Sequence, residues 1–252
     1  MTTRTIVSVT GKDAATFLQG LLTNDITRLA SAPGLAWTGV LTPQGKYLAD
    51  FFVLGTADGL HLDLPTALAD DLLKRLSMYK LRADVHLTPA HDIHVTRGLG
   101  HPPAGAAYPD PRHAALGWRH YGPTAGAKTN TDWDAIRVAH LIPETMIELI
   151  PNDSYILEWG FERLHGVDFR KGCYVGQEVT ARMKHKTELR KGIARVSVSA
   201  PVPVGTEIMA GDKPVGQIFT QSNGQAIAYL RYDRATDAMT AGGAAVVYLG
   251  TG

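Results

Sequence analysis

Lys171-Gly172-Cys173-Tyr174-Val175-Gly176-Gln177-Glu178 contains the only cysteine in a chain of 252 residues. Lys171 stands two residues before the thiol, and nearby cations stabilise a thiolate. Gly172 and Gly176 flank it, and glycine lets backbone N–H groups come close to a ligand. A free cysteine more often fills a small apolar gap. Lysine, glutamine and glutamate within five residues argue against such a gap here, so the stretch reads as a site.

The sequence around the octapeptide is basic. Arg170, Lys171, Arg182, Lys184, Lys186, Arg190 and Lys191 face only Glu178 and Glu188, and His185 adds charge when protonated. Such an excess favours an anionic partner, a phosphate or a multi-carboxylate tail, and a solvated surface hairpin would look the same. The whole chain carries a net charge of only +1, which gives no global sign of nucleic-acid binding.

Composition bounds the rest. Hydrophobic residues make up 44% and charged residues 19%, as expected of an ordinary globular chain with enough apolar material for a core. No run approaches a membrane span, and no apolar signal segment follows Met1-Thr2-Thr3-Arg4. The expectation is a cytoplasmic protein with no membrane partner. One cysteine cannot form an intramolecular disulfide, and it cannot alone supply the thiolates of an iron–sulfur cluster or a structural zinc. The ten histidines show no helix-face pair, so no metal site is expected. Walker A, G-x-S-x-G and Rossmann glycine patterns are also missing.

Element by element, residues 6–10 read as a strand and 13–29 as a helix, with Phe17, Leu18, Leu21 and Leu22 on one face. Residues 35–41 and 47–54 form a hairpin around Thr42-Pro43-Gln44-Gly45, proline and glycine standing where a tight turn wants them. A strand over 60–64, a helix over 67–79 and strands over 82–87 and 92–96 follow. Residues 98–130 are rich in proline and glycine, with one strand over 114–120, and 133–139 read as a short helix. Residues 143–168 are irregular with a helical turn at 159–164. Short β runs at 193–198, 207–209, 215–220, 226–230 and 245–249 then predict a small barrel or sandwich.

Other residues offer chemistry. Thr23-Asn24-Asp25 could hydrogen-bond a heterocycle, although Asn and Asp also simply terminate helices. Asp50, in an apolar strand beside Phe51 and Phe52, could transfer a proton or grip a protonatable ring. Trp133 could stack on a flat ligand or close the core.

These residues together resemble the YgfZ-type folate-binding proteins, relatives of the glycine-cleavage aminomethyltransferase. The octapeptide carries the resemblance, with Val179-Thr180-Ala181-Arg182-Met183 after it. Phe17-Leu18-Gln19-Gly20-Leu21-Leu22-Thr23-Asn24-Asp25, Leu41-Thr42-Pro43-Gln44-Gly45-Lys46 and Gly166-Val167-Asp168-Phe169 support it in the same order along nearly the whole chain. The resemblance implies an α+β fold: a three-part aminomethyltransferase-like folate-binding ring over residues 1–190 and a small C-terminal β-barrel over 191–252. It implies tetrahydrofolate as cofactor, in a central cavity near Trp133, Asn24, Asp25, Asp50, Glu178 and Arg182. Cys173, Lys171 and Asp50 would carry the chemistry, with Lys171 activating the thiol. The implied role is maturation or repair of iron–sulfur enzymes, and through them tRNA modification, with iron–sulfur client or assembly proteins as partners.

The chain departs from the pattern in places. Arg4 stands where some members place a tryptophan against the folate. Arg137-Val138-Ala139 lacks the glutamate with which the aminomethyltransferase grips the pterin, and Ala49-Asp50 replaces its paired aspartates. These losses weaken aminomethyl transfer more than folate binding. A folate-dependent one-carbon transferase is therefore the second reading. An RNA-binding module using the basic segment is a third, which the near-neutral total charge opposes.

Overall fold

The computed structural model describes residues 3–126, 130–186, 188–235 and 238–251. The chain divides into two compact units, residues 1–131 with 162–179, and 132–161 with 180–252.

The first unit is built on an antiparallel sheet in the order β2-β3-β4-β1-β5. Its strands are β1 (Arg4–Thr10), β2 (Gly34–Leu41), β3 (Tyr47–Thr56), β4 (Gly59–Pro65) and β5 (His86–Pro89). Alternation assigns the faces. Phe51, Val53, Leu62 and Leu64 join Leu18 and Leu22 and, from α2 (Thr66–Lys80), Leu72 and Leu76 in one apolar core. The opposite face carries Trp37, Asp50, Phe52 and Asp63, in register across β2, β3 and β4. Over it lie side chains of a second sheet, β6 (His94–Gly98), β7 (Ala106–Pro109) and β8 (Trp118–Gly122), in the order β6-β8-β7. With both faces covered, β3 is buried along nearly its whole length, which is why it reads as a continuous apolar run.

The helix expected over 13–29 is much shorter. Helix α1 spans Ala14–Gln19 and stops at Gly20, and Thr27–Ala30 form a separate 3₁₀ turn. Polar side chains between them bond to the β2 backbone instead. Gly39 donates to Thr23 Oγ1 at 2.8 Å, and Asn24 Nδ2 donates to the Trp37 carbonyl at 2.8 Å. Such bonds compete with helix continuation. The strand expected over 114–120 starts only at Trp118, because Ala114–Leu116 form a 3₁₀ turn and Gly117 takes φ +66°. The strand expected over 82–87 is likewise displaced to β5.

The second unit holds α3 (Trp133–His140), a run of turns to Phe161, and a closed antiparallel barrel in the order β10-β11-β12-β9-β14-β13. The strands are β9 (Lys191–Val198), β10 (Glu207–Ala210), β11 (Lys213–Ser222), β12 (Gln225–Arg231), β13 (Met239–Ala241) and β14 (Ala244–Gly250). Ala194, Val196, Ile208, Ile218, Ala228, Leu230 and Val246 fill its interior. Outside it, Trp159 stacks on Tyr229 at 5.2 Å, and Glu158 accepts from the Tyr229 hydroxyl at 2.6 Å. Helix α4 (Gln177–Lys186), which no apolar stripe announces, begins in the first unit and continues in the second.

Candidate functional site

Cys173 is exposed, and its segment is tied to the turn after α1. Thr23 Oγ1 donates to the Gly166 carbonyl at 2.7 Å, Asp168 N to the Thr23 carbonyl at 3.0 Å, and Asn24 Nδ2 to the His165 carbonyl at 2.7 Å. Lys171, two residues before the thiol, adds a further tie. Its Nζ donates to the carbonyls of Gln19, at 2.7 Å, and Leu22, and lies 5.1 Å from the Tyr174 ring centroid. Helix ends leave carbonyls unpaired, and the negative end of the helix dipole favours a cation. Burial pushes the Lys171 ammonium down to about 8, with Asp25 and Asp168 opposing.

Cys173 borders an open cleft of about 500 Å³ together with Ala15, Thr16, Gln19, Gly20, Thr27 and Ala30. Small side chains line most of it, so a neighbouring molecule can come close to the sulfur. Beyond the cysteine, Gly176 takes φ +84° against the β2–β3 turn. A Cβ there would stand 2.5 Å from the Thr42 carbonyl oxygen and 2.9 Å from Leu41 Cβ. Gly45 of that turn has φ +75°, and its own Cβ would meet Val179 Cβ at 2.8 Å. Three separate stretches of sequence are thus parts of one assembly: the octapeptide, the turn at 22–25 and the hairpin turn at 42–45.

Asn24 and Asp25 build this assembly. Both amide hydrogens of Asn24 are spent on backbone carbonyls, and its Oδ1 accepts from Asp25 N at 2.9 Å. Asp25 accepts from the Thr27 hydroxyl and amide, which hold its carboxyl below the usual carboxylate range. Thr23, which the sequence offers as a partner for a heterocycle, is instead buried and bonded to Gly39 and Gly166, the latter 143 residues away.

Asp50 is buried on the other face of the sheet. Tyr47 Oη donates to one of its oxygens at 2.6 Å, and Trp37 Nε1 to the other at 2.8 Å. Beside it, Asp63 accepts from Arg4 Nε, Arg119 Nη2 and Tyr121 Oη, and these arginines hold its carboxyl down against the cost of burial. The Arg119 guanidinium lies 3.9 Å from the Phe52 centroid and that of Arg112 5.0 Å. Arg4 is therefore a partner of the buried Asp63 carboxylate.

The remaining candidates fall on α3 and α4. Trp133, half-buried, opens α3 after Asp132, whose carboxylate accepts from Ala135 N at 2.9 Å. It belongs to the second unit, as Arg182 does, whereas Asn24, Asp25, Asp50, Lys171, Cys173 and Glu178 belong to the first. Glu178 and Arg182 are both exposed, four residues apart on α4. Within the second unit, buried Glu148 receives Arg137, the Thr220 hydroxyl and amide, and Glu144 N. Burial raises its carboxyl, with Arg137 opposing.

Known proteins match this architecture. The chain is 33% identical to the human mitochondrial iron–sulfur cluster assembly factor IBA57, over 90% of this chain and 72% of that protein. The chain belongs to the IBA57 family. A homologue named likewise from Mycosarcoma maydis is 32% identical over 77% of this chain and 55% of its own length. Residues 190–249 match the family described as "CAF17, C-terminal beta-barrel domain". The crystal structure of glycine cleavage system aminomethyltransferase T from Bartonella henselae aligns with a TM-score of 0.71 at 11% identity, covering 98% of this chain and 82% of that one. The aminomethyltransferase-like α+β fold ending in a barrel is thereby established, and the YgfZ-type expectation resolves into IBA57-type relatives. One expectation is overturned. The human, mouse and fungal IBA57 relatives are named as mitochondrial proteins, which contradicts a cytoplasmic assignment made from the sequence.

Proposed function

We propose that this protein assists the assembly of iron–sulfur clusters, offering the Cys173 thiolate as a ligand to a cluster held jointly with an assembly or client protein. The observation carrying the reading is the exposure of the chain's one cysteine at an open cleft of small side chains. The names of the IBA57 relatives support it. Cluster iron is held by several thiolates, so one cysteine must share the cluster with a second polypeptide. Coordination requires the thiolate, and the thiol proton leaves to solvent as iron binds. In a strain lacking the gene, wild type is expected to restore iron–sulfur enzyme activities and Cys173→Ala to restore less than a tenth of them. Full rescue by Cys173→Ala would sink the reading.

Tetrahydrofolate is the second ligand of this reading, with Asp50 of the first unit as the residue to hold it. The Asn24 amide hydrogens are already engaged, so Asn24 and Asp25 shape the fold around such a site and do not donate to the heterocycle. Asp50 suits a protonatable ring nitrogen, because Tyr47 and Trp37 fix the orientation of its buried carboxylate. When bound, tetrahydrofolate supplies one-carbon chemistry. Titration followed by tryptophan fluorescence is expected to saturate at micromolar ligand and to weaken at least tenfold in Asp50→Ala. An unchanged signal at high micromolar concentration removes folate from the proposal and leaves the cysteine arm standing.

A further inference from the structure

The geometry points to Lys171 as the residue that positions Cys173, tying the cysteine segment to the end of α1 so that thiol and helix form two walls of one cleft. The inference rests on the cysteine reading above, yet its own basis is structural. The two carbonyls that receive the Lys171 ammonium belong to Gln19 and Leu22. Gln19 is also a wall residue of the cleft that Cys173 borders, beside Ala15, Thr16 and Gly20. Lys171, only 7% exposed, therefore links the segment before the sulfur directly to that wall, while Tyr174, equally buried, follows the sulfur.

On the side before the cysteine, the chain has room to move without such a tie. Gly172 and Cys173 are both exposed, and a Cβ added to Gly172 would meet nothing within 4 Å. Glycine next to an unsupported residue leaves the backbone many conformations. The ties from Thr23 and Asn24 reach Gly166, Asp168 and His165, at least five residues before the sulfur. Lys171 anchors two residues before it. This gives the lysine of the octapeptide a task other than lowering the thiol's proton affinity: its hydrogen bonds are directed at α1. A cluster ligand shared between two proteins has to be presented at a set depth, because metal–sulfur geometry tolerates errors of only about 0.2 Å.

The single cysteine makes the test direct. Replacing Thr16, on the opposite wall, by cysteine gives a protein with two thiols, which a short bifunctional thiol reagent should join within one chain. In this Thr16→Cys background, Lys171→Met is expected to lower the intramolecular cross-linking rate at least tenfold, and Lys171→Arg, which keeps two donors, to hold it within about threefold. Alkylation of Cys173 by a small monofunctional reagent should change far less, since exposure is retained. Lys171→Gln, too short to reach both carbonyls, serves as a second loss variant should Lys171→Met not fold. An unchanged cross-linking rate in the loss variants overturns the inference. Should cross-linking fall as expected while Cys173→Ala still rescues the deletion strain, Lys171 positions the thiol and the cluster reading is what has failed.

Discussion

At the scale of single residues, this protein places charge where water is excluded and answers it with fixed partners. Lys171 is the clearest case, because its carbonyl partners are neutral and cannot repay the whole cost of burying an ammonium. Its native pKa of about 8 lies below the ordinary lysine value of 10.5. Between these values the unfolded chain holds a proton that the native protein has released, so native stability rises with pH through that window. Below pH 8 the contribution is flat. Wild type compared with Lys171→Met by urea unfolding should show an advantage that grows from pH 8 to pH 10.5, and a constant difference would refute the shift. Asp63 gives a slope of the same sign in a lower pH window and from a different cause. Arg4 and Arg119 depress its carboxyl, so its contribution is present above about pH 4 and is lost as pH falls through the native value. Arg119→Met removes one of the two cations from a fully buried carboxylate and should cost about 3–5 kcal/mol in denaturant unfolding.

At the scale of elements, close backbone approach connects pieces that are distant in sequence. Gly176 has both a positive φ and no room for a side chain beside the β2–β3 turn. Gly176→Ala combines left-handed strain of about 1 kcal/mol with a clash against backbone oxygen, and about 2–4 kcal/mol of lost stability is expected. The loss should be accompanied by faster hydrogen exchange at 173–179, and normal exchange there would show that the turn yields instead. This contact also marks how far the sequence could be read. The β2–β3 hairpin, α2, α3 and five of the six barrel strands were legible, because periodicity and turn residues are local signals. Helix α1 was overextended, since Thr23 and Asn24 find their partners on β2 and near His165 only after folding. Helix α4 was missed because its residues are mostly charged or polar and its apolar side chains too few to mark a face. The site followed the same rule. Cys173 and Lys171 stand out by residue type, whereas the direction of the lysine's hydrogen bonds is set only by the fold.

At the scale of the whole molecule, a single thiol sets the stoichiometry of anything it holds. The second unit contributes no cysteine, and among the described residues no three His, Cys, Asp or Glu side chains are grouped to hold a metal ion. A cluster on this protein must therefore draw its other ligands from a second chain or from small thiols. Anaerobic incubation with iron, sulfide and a non-thiol reductant should leave the lone chain without a stable cluster. If a chromophore does form, it should sediment with a species of at least two chains and be absent from Cys173→Ala. Adding a small thiol such as glutathione should raise its yield, because free thiolates can fill the open positions. A chromophore that co-sediments with single chains in the absence of added thiol would require ligands other than sulfur, and would remove the argument that the exposed cysteine exists to be shared.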